Sequence, residues 1–131
     1  MIVLDASAVL ELLLVTERGE RVAQRIRAPL ETLHAPHLID LEVAQVLRRY
    51  VLRRQLDETR AAEALVDLRD LDMNRYSHDL LLERIWELRH NVSAYDAAYI
   101  ALAEALGAPL LTSDARLRDL PRPRIRIELL S

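Results

Sequence analysis

Apolar residues along the chain occur in short continuous runs, separated by longer segments in which they recur every three or four positions. The short runs predict strands at 2–5, 33–35, 109–112 and 125–129. The longer segments predict helices at 8–14, 18–28, 38–54, 57–71, 79–90, 94–106 and 115–120, with Gly107 ending the sixth. Short apolar strands separated by helices are typical of a parallel sheet covered on both faces, so we predict the α/β class.

Length and composition restrict the number of domains, the kinds of cross-link and the compartment of the protein. A chain of 131 residues is long enough for one core, and we predict a single domain over 1–131, in which 121–123 form a tight connection before the last strand. The absence of cysteine excludes disulfides and thiolate metal sites. No apolar run is long enough to span a bilayer and no leader precedes the first strand, so we expect a cytoplasmic protein without a membrane partner.

Charge and glycine content restrict the ligands. With only two glycines, the chain has neither a P-loop nor a dinucleotide-binding fingerprint. The net charge of −3 is not that of a general nucleic-acid binder. All 18 basic residues are arginines, and they are concentrated at the end of the third predicted helix and after residue 115. Most of them are expected on the solvated surface, whereas Arg116 and Arg118 are close enough to the predicted ligand crevice to hold phosphates.

Four acidic residues stand where an apolar segment should carry no charge: Asp5, Glu42, Asp96 and Asp114. Burying an uncompensated carboxylate costs several kcal/mol, so such a cluster needs a neutralising cation. Ligands in a parallel sheet bind beyond the carboxyl ends of the strands, where Asp5 and Asp114 should project. Sites rich in oxygen ligands suit Mg²⁺ or Mn²⁺. The pattern therefore indicates metal-assisted phosphodiester chemistry.

Each acid also has a purely structural interpretation. Asp5 could cap the first helix, although Ser7 is the better candidate for that cap, and Asp114 could cap the short helix after it. Asp96 lies in a segment that resembles a capping box begun by Ser93. Glu42 could be a surface charge at the edge of its helical stripe. Four caps or surface charges at once are a less economical explanation than one shared site.

Nearby polar residues extend the hypothesis. Ser7, Thr112 and Ser113 could contact a metal-bound water or a phosphate, with capping the commoner role for Ser7. Asp40 competes with Glu42 as a ligand but fits better in the first turn of its helix. None of the four histidines has the spacing of a metal pair or a catalytic context.

These segments together resemble the PIN-domain nucleases, specifically the VapC-type toxins of bacterial toxin–antitoxin pairs. The matching pieces occur in family order and span nearly the whole chain: Ile-Val-Leu-Asp-Ala-Ser at 2–7, Leu-Glu-Val-Ala at 41–44, Tyr-Asp-Ala-Ala-Tyr at 95–99 and Leu-Leu-Thr-Ser-Asp-Ala-Arg-Leu at 110–117. The resemblance implies a three-layer α/β/α sandwich around a parallel sheet of about five strands. It assigns the four acids to Asp5, Glu42, Asp96 and Asp114. It further implies an Mg²⁺- or Mn²⁺-dependent endoribonuclease, usually a homodimer, inhibited by a cognate VapB-type antitoxin.

The mechanism expected from these residues is hydrolysis of RNA by a metal-activated water, giving 5′-phosphate and 3′-hydroxyl ends. A phosphoacceptor receiver domain is disfavoured because the chain lacks the lysine that grips the phosphoryl group. A housekeeping RNA-processing nuclease, a DNA-directed nuclease and a catalytically silent binding module remain as alternatives. Apolar positions on the first helix are Val9, Leu10, Leu13 and Leu14. We expect most of them in the core and some of them in a groove for the antitoxin.

Overall fold

The computed structural model describes residues 1–120 and 124–130. The predicted connection at 121–123, including Arg122, lies outside the described residues. A 3-10 turn at Asp79–Leu81 precedes α5. The elements follow one another as β1 (Ile2–Leu4), α1 (Ala6–Leu13), α2 (Glu17–Ile26), β2 (Leu33–Pro36), α3 (Leu38–Leu52), α4 (Glu58–Asp70), β3 (Met73–Tyr76), α5 (Leu82–Glu87), α6 (Ala94–Leu106), β4 (Leu110–Thr112), α7 (Ala115–Arg118) and β5 (Ile127–Leu129).

The five strands form one parallel sheet in the order β3-β2-β1-β4-β5. The central strand β1 is buried along its whole length, as expected for a strand covered on both faces. Leu4 of β1 lies opposite Leu111 of β4, and the Asp5 amide donates to the Leu111 carbonyl at 3.2 Å. This register brings the residues that follow β1 and β4 together at one edge of the sheet.

The helices form two groups around this sheet. Helices α1 to α4 pack against one another, and α1 and α3 also contact strands of the sheet. Helix α6 packs on β1, β2 and β4, and α5 packs against α6. Seven consecutive residues of α6, from Ala97 to Ala103, are buried, which makes it the most enclosed helix among the described residues. The α/β class, the three-layer sandwich and the five parallel strands are confirmed.

The sequence prediction missed one strand. No strand was placed at Met73–Tyr76, but these residues form β3 and pair with β2 at the edge of the sheet. Only Met73 of the four is buried, so this edge strand lacks the apolar run that marked the others. The helix predicted over 79–90 is also too long, because it consists of the 3-10 turn and α5, which ends at Glu87.

The apolar side of α1 belongs to the core. Val9, Leu10 and Leu13 are buried, and Leu14 is partly buried against the same core. The expectation that most of the four belong to the core is confirmed, and Leu14 alone among them is left for a groove. In the described part of the chain, no helix combines the length and the apolar character needed to cross a bilayer.

Candidate active site

The four predicted acids come from four elements that meet beyond the carboxyl edge of the sheet. Asp5 follows β1, Asp114 follows β4 by two residues, Glu42 lies in the second turn of α3 and Asp96 lies in the first turn of α6. Asp96 acts electrostatically on both Asp5 and Glu42, and Asp114 acts on Asp96. The fold therefore brings all four sequence-predicted acids into one electrostatically connected group.

Asp5 is the most buried of the four, at 7% exposed. It is the N-cap of α1, and its Oδ1 accepts from the Ala8 amide at 3.0 Å and from the Ser7 hydroxyl at 2.6 Å. Its Oδ2 accepts from the Thr112 hydroxyl at 2.5 Å. The expectation that Ser7 caps α1 is thus wrong, because Asp5 caps the helix and Ser7 donates to the capping carboxylate.

The hydroxyl residues connect the ends of β1 and β4. Thr112 is fully buried and its Oγ1 also accepts from the Asp114 amide at 2.9 Å. The Ser7 Oγ accepts from the Ser113 amide at 3.0 Å, so Ser113 takes part through its backbone. These bonds orient Asp5 and fix the loop that carries Asp114. Thr112 therefore positions the acids. Its hydroxyl is buried and already bonded to them, whereas the sequence had suggested a direct contact with a metal-bound water or a phosphate.

Glu42 points into the site and is partly buried. Its Oε1 accepts from the Tyr99 hydroxyl at 2.6 Å. Sequence reasoning did not single out Tyr99, which is 2% exposed and lies three residues after Asp96 in an alanine-rich helix. A large polar-tipped side chain among alanines on a buried helix was the available signal.

Asp40 belongs to a different environment. It lies in the first turn of α3, as predicted, and both of its carboxylate oxygens accept from the Arg75 Nε, at 3.0 and 2.9 Å. Arg75 is on β3, the strand that the sequence did not reveal. The ion pair accounts for Asp40 without a role in the acidic site.

Asp96 and Asp114 both occupy helix N-termini, as their structural interpretations anticipated. Ser93 caps α6 and accepts from the Asp96 amide at 3.2 Å, which confirms the cap at Ser93. Asp114 caps α7 and accepts from the Arg116 amide at 3.0 Å. Both carboxylates also make contacts beyond the caps. The partly buried Asp96 side chain lines a cavity of about 550 Å³, and Asp114 forms an ion pair with Arg116.

Arg116 forms an ion pair with Asp114. Its Nη2 lies 2.7 Å from Oδ2, and its Nε donates to Oδ1 at 3.0 Å. The hydrogen bonds from Arg116 lower the pKa of Asp114. Because the Arg116 side chain is 83% exposed, this pair is open to exchange with other charged groups.

The pKa values of the other three acids are shifted in the opposite direction from that of Asp114. Burial raises the pKa of Asp5, of Glu42 and of Asp96. The negative charges of neighbouring acids in the group raise each of these pKa values further. Neighbouring carboxylates repel one another when they are ionised, so a cation among them would be favourable.

The donor set fits a hard divalent cation. All of its side-chain donors are oxygens, which suits Mg²⁺ or Mn²⁺, and the mutual repulsion of the acids is what such an ion relieves. Within the described ranges 1–120 and 124–130, no three acidic or histidine side chains are already arranged to hold a metal ion. Binding would therefore require the carboxylates to adjust their positions, including exchange of the Asp114 bond to Arg116.

Comparison with known proteins identifies the family. The family model for the PIN domain matches residues 2–123. The chain is 50% identical over 119 residues to the VapC ribonuclease Mb0985 of Mycobacterium bovis, covering 91% of this chain and 90% of that protein. It is 40% identical over 131 residues to the ribonuclease VapC12 of Mycobacterium tuberculosis, covering the whole of both.

The fold agrees with these relatives. The crystal structure of VapBC2 from Rickettsia felis, bound to a DNA fragment from their promoter, matches with a TM-score of 0.72 over the full length of both chains at 13% identity. Matches to the family model and to ribonucleases at 40–50% identity cover nearly all of the chain and include the segments that carry its four clustered acids. The chain therefore belongs to the PIN-domain family, among the VapC ribonucleases.

Proposed function

We propose that this ribonuclease is the toxin component of a VapBC-type pair and hydrolyses RNA phosphodiesters at Asp5, Glu42, Asp96 and Asp114 with the help of Mg²⁺ or Mn²⁺. One observation carries the proposal: burial raises the pKa of the Asp5, Glu42 and Asp96 carboxyls, and the charge of at least one neighbouring acid raises each of them further. In the described part of the chain, the only cation paired with these acids and Asp114 is the exposed Arg116, on Asp114. Clustered carboxylates without a cationic partner destabilise the folded protein, and a bound cation would remove that destabilisation.

The four acids are the candidate ligands of the metal. When bound, a divalent ion would supply Lewis acidity, lowering the pKa of a water molecule and balancing the charge that develops on the phosphate. The chain's own groups would prepare the site: Thr112 and Ser7 orient the Asp5 carboxylate, and Tyr99 orients Glu42. Hydrogen-bonding partners of metal ligands commonly fix ligand orientation in this way.

Arg116 has a proposed second role. In the described state it neutralises Asp114, yet its guanidinium is mostly exposed beside the cavity that contains Asp96. A phosphate of the substrate offers the same paired oxygen atoms that Asp114 offers. We infer that Arg116 would bind a phosphate of the substrate backbone, which would leave the Asp114 carboxylate free to hold the metal.

The proposed partner is a VapB-type antitoxin. A chain in the crystal structure of VapBC2 from Rickettsia felis has the fold seen here. An apolar cavity of about 370 Å³ lies next to Glu42, with Leu38, Leu41, Val46 and Tyr95 in its wall. Its position suits a segment that blocks access to the acids. The homodimer suggested by the family resemblance stays a prediction.

The decisive experiment is cleavage of a mixed cellular RNA pool by the purified protein in Mg²⁺, in Mn²⁺ and in EDTA, beside the variant Asp96→Asn. We expect discrete metal-dependent cuts with 5′-phosphate and 3′-hydroxyl ends. Loss of one carboxylate ligand should reduce the rate at least about a hundredfold, since several kcal/mol of transition-state stabilisation depend on the metal.

Other outcomes would redirect the assignment. Cyclic 2′,3′-phosphate ends would contradict hydrolysis by water, because they require attack by the RNA 2′-hydroxyl. Preferential cutting of DNA would contradict the substrate class. Absence of cutting by folded, antitoxin-free protein would favour the binding module. Cleavage without growth arrest when the protein is produced in bacteria would favour a housekeeping nuclease over a toxin.

A further inference from the structure

An exposed aromatic side chain lies beside the cavity of the candidate active site. Trp86, the only tryptophan in the chain, is near the end of α5 and is 67% exposed. Tryptophan side chains are highly buried on average in folded proteins, so an indole that is mostly exposed is unusual. The proposed chemistry makes no use of it.

Arg89 connects Trp86 to the cavity. Its guanidinium carbon lies 4.8 Å from the centre of the Trp86 ring, within the range of a cation–π contact. Its Nη1 donates to the Trp86 carbonyl at 2.9 Å, which holds the side chain over the indole. The same arginine lines the cavity of about 550 Å³ that contains Asp96 and Arg116.

The wall of this cavity carries basic groups in addition to the acid Asp96. Arg89, His90 and Arg116 contribute basic groups to its wall, and Leu117 and Leu120 contribute apolar surface. Within residues 1–120 and 124–130, Arg89 has no carboxylate partner, whereas Arg84 on α5 is paired with Glu104 and Glu87. Arg89 is thus available to a ligand from outside.

An exposed indole in contact with a guanidinium, next to a cavity with basic groups in its wall, matches the chemistry that binds an unpaired nucleotide. Bases in single strands stack on aromatic rings and on guanidinium planes, while the phosphates contact basic side chains. Bases in a duplex are already stacked and cannot reach such a platform. Because Arg89 and Asp96 share one cavity, a nucleotide held there would be adjacent to the acids.

We propose that Trp86 and Arg89 form a stacking platform that holds the base of an unpaired nucleotide close to the phosphate to be cleaved. The proposal rests on the proposed ribonuclease function and adds two specificity-determining residues to it. Trp86 and Arg89 act in substrate binding and are not catalytic residues.

The single tryptophan gives a direct test. Titration of the wild-type protein in EDTA with an unstructured RNA octamer should quench the Trp86 fluorescence, and a blunt RNA duplex of the same sequence should quench it much less. Binding detected by anisotropy of a labelled octamer without quenching would overturn the proposal. Because EDTA prevents metal-dependent cleavage, this readout is independent of whether the protein proves to be a nuclease.

Variants separate stacking from charge. Trp86→Leu should weaken octamer binding about tenfold, the loss expected for one stacked base, and Trp86→Phe should keep most of the affinity. Arg89→Gln should also lower the slope of log affinity against log salt by about 0.7, the value for one phosphate contact on a single strand. The slope should be unchanged in Trp86→Leu.

The matched control is Leu80→Ala, which removes another exposed apolar side chain, on the preceding 3-10 turn, without touching the cavity wall. It should bind the octamer like the wild type. Sedimentation of each variant distinguishes a role of Trp86 in RNA binding from a role in contacts between copies of the chain. If Trp86→Leu dissociates an assembly that Leu80→Ala leaves intact, Trp86 is a contact between copies of the chain and the proposal is wrong.

Discussion

The Asp5 carboxylate illustrates how one side chain can satisfy local structure and candidate chemistry together. It caps α1 and receives hydrogen bonds from Ser7 and Thr112, so its orientation is set by three donors. Burial nevertheless raises its pKa, which shows that these donors do not fully replace hydration of the charge. Capping and ligation were alternatives in the sequence, whereas in the fold they are compatible.

Tyr99 should matter to both stability and activity. Tyr99→Phe removes the donor to Glu42 and leaves a partly buried carboxylate oxygen without that bond. We expect a loss of about 1–2 kcal/mol in the free energy of unfolding, measured by urea denaturation. Cleavage should fall about 10–100-fold, the usual cost of removing the residue that orients a metal ligand. Unchanged cleavage would mean that Glu42 does not need Tyr99 for its role.

Asp96 provides a test of electrostatic strain. Burial and the charge of Asp114 raise its pKa, so the folded protein holds this proton more tightly than the unfolded chain does. The contribution of Asp96 to stability is therefore complete at low pH and is lost as the pH rises through its folded-state pKa. Asp96→Asn, measured in EDTA, should be more stable than the wild type at pH 7.5, and the difference should shrink toward pH about 3.9.

The control for this comparison is Asp67→Asn, at an exposed position on α4. Its free energy of unfolding should follow the wild type across the same pH range. If Asp96→Asn is destabilised at pH 7.5 as well, the carboxylate has a structural role that outweighs its repulsion by the other acids.

At the scale of elements, the close approach of α1 and α2 depends on a residue without a side chain. A Cβ added at Gly19 would lie 2.0 Å from the Glu11 carbonyl oxygen, which belongs to the backbone of α1. Gly19→Ala should therefore cost about 1–3 kcal/mol, the usual range for overpacking, measured by urea denaturation. The two helices would have to separate for the methyl group to fit.

Gly107 offers a contrast with a different cause. It ends α6 at φ +62°, and an added Cβ would meet nothing within 4 Å. Gly107→Ala should cost about 1–2 kcal/mol through backbone strain alone, and asparagine, which tolerates this conformation, should recover part of the loss. If Gly19→Asn recovered stability in the same way, steric contact would not be the reason for glycine at position 19.

At the scale of the whole molecule, metal binding should stabilise the fold. A ligand that binds only the folded protein adds about 2.7 kcal/mol at a concentration 100 times its Kd. We expect Mg²⁺ to raise the Tm at pH 7.5, compared with NaCl at equal ionic strength, and to raise it less at acidic pH because the acids become protonated. The rise should be small or absent in Asp96→Asn. An equal rise in both proteins would place the metal elsewhere.

The sequence by itself determined the class of the fold and four of the five strands, and it indicated four acids as candidate site residues. Strands buried on both faces must be apolar throughout, so β1 and β4 were visible, and so were the acids that follow them. The edge strand β3 was hidden because only Met73 in it is buried, and its place depends on pairing with β2.

Only the tertiary structure decided how the acids are held. The bonds from Thr112 to Asp5 and from Tyr99 to Glu42 join residues 107 and 57 positions apart, and local periodicity contains no information about such pairs. The same holds for Asp40, which the fold assigns to Arg75. The sequence sets the chemical character of each side chain, but burial and neighbours set its pKa, and both exist only once the chain has folded.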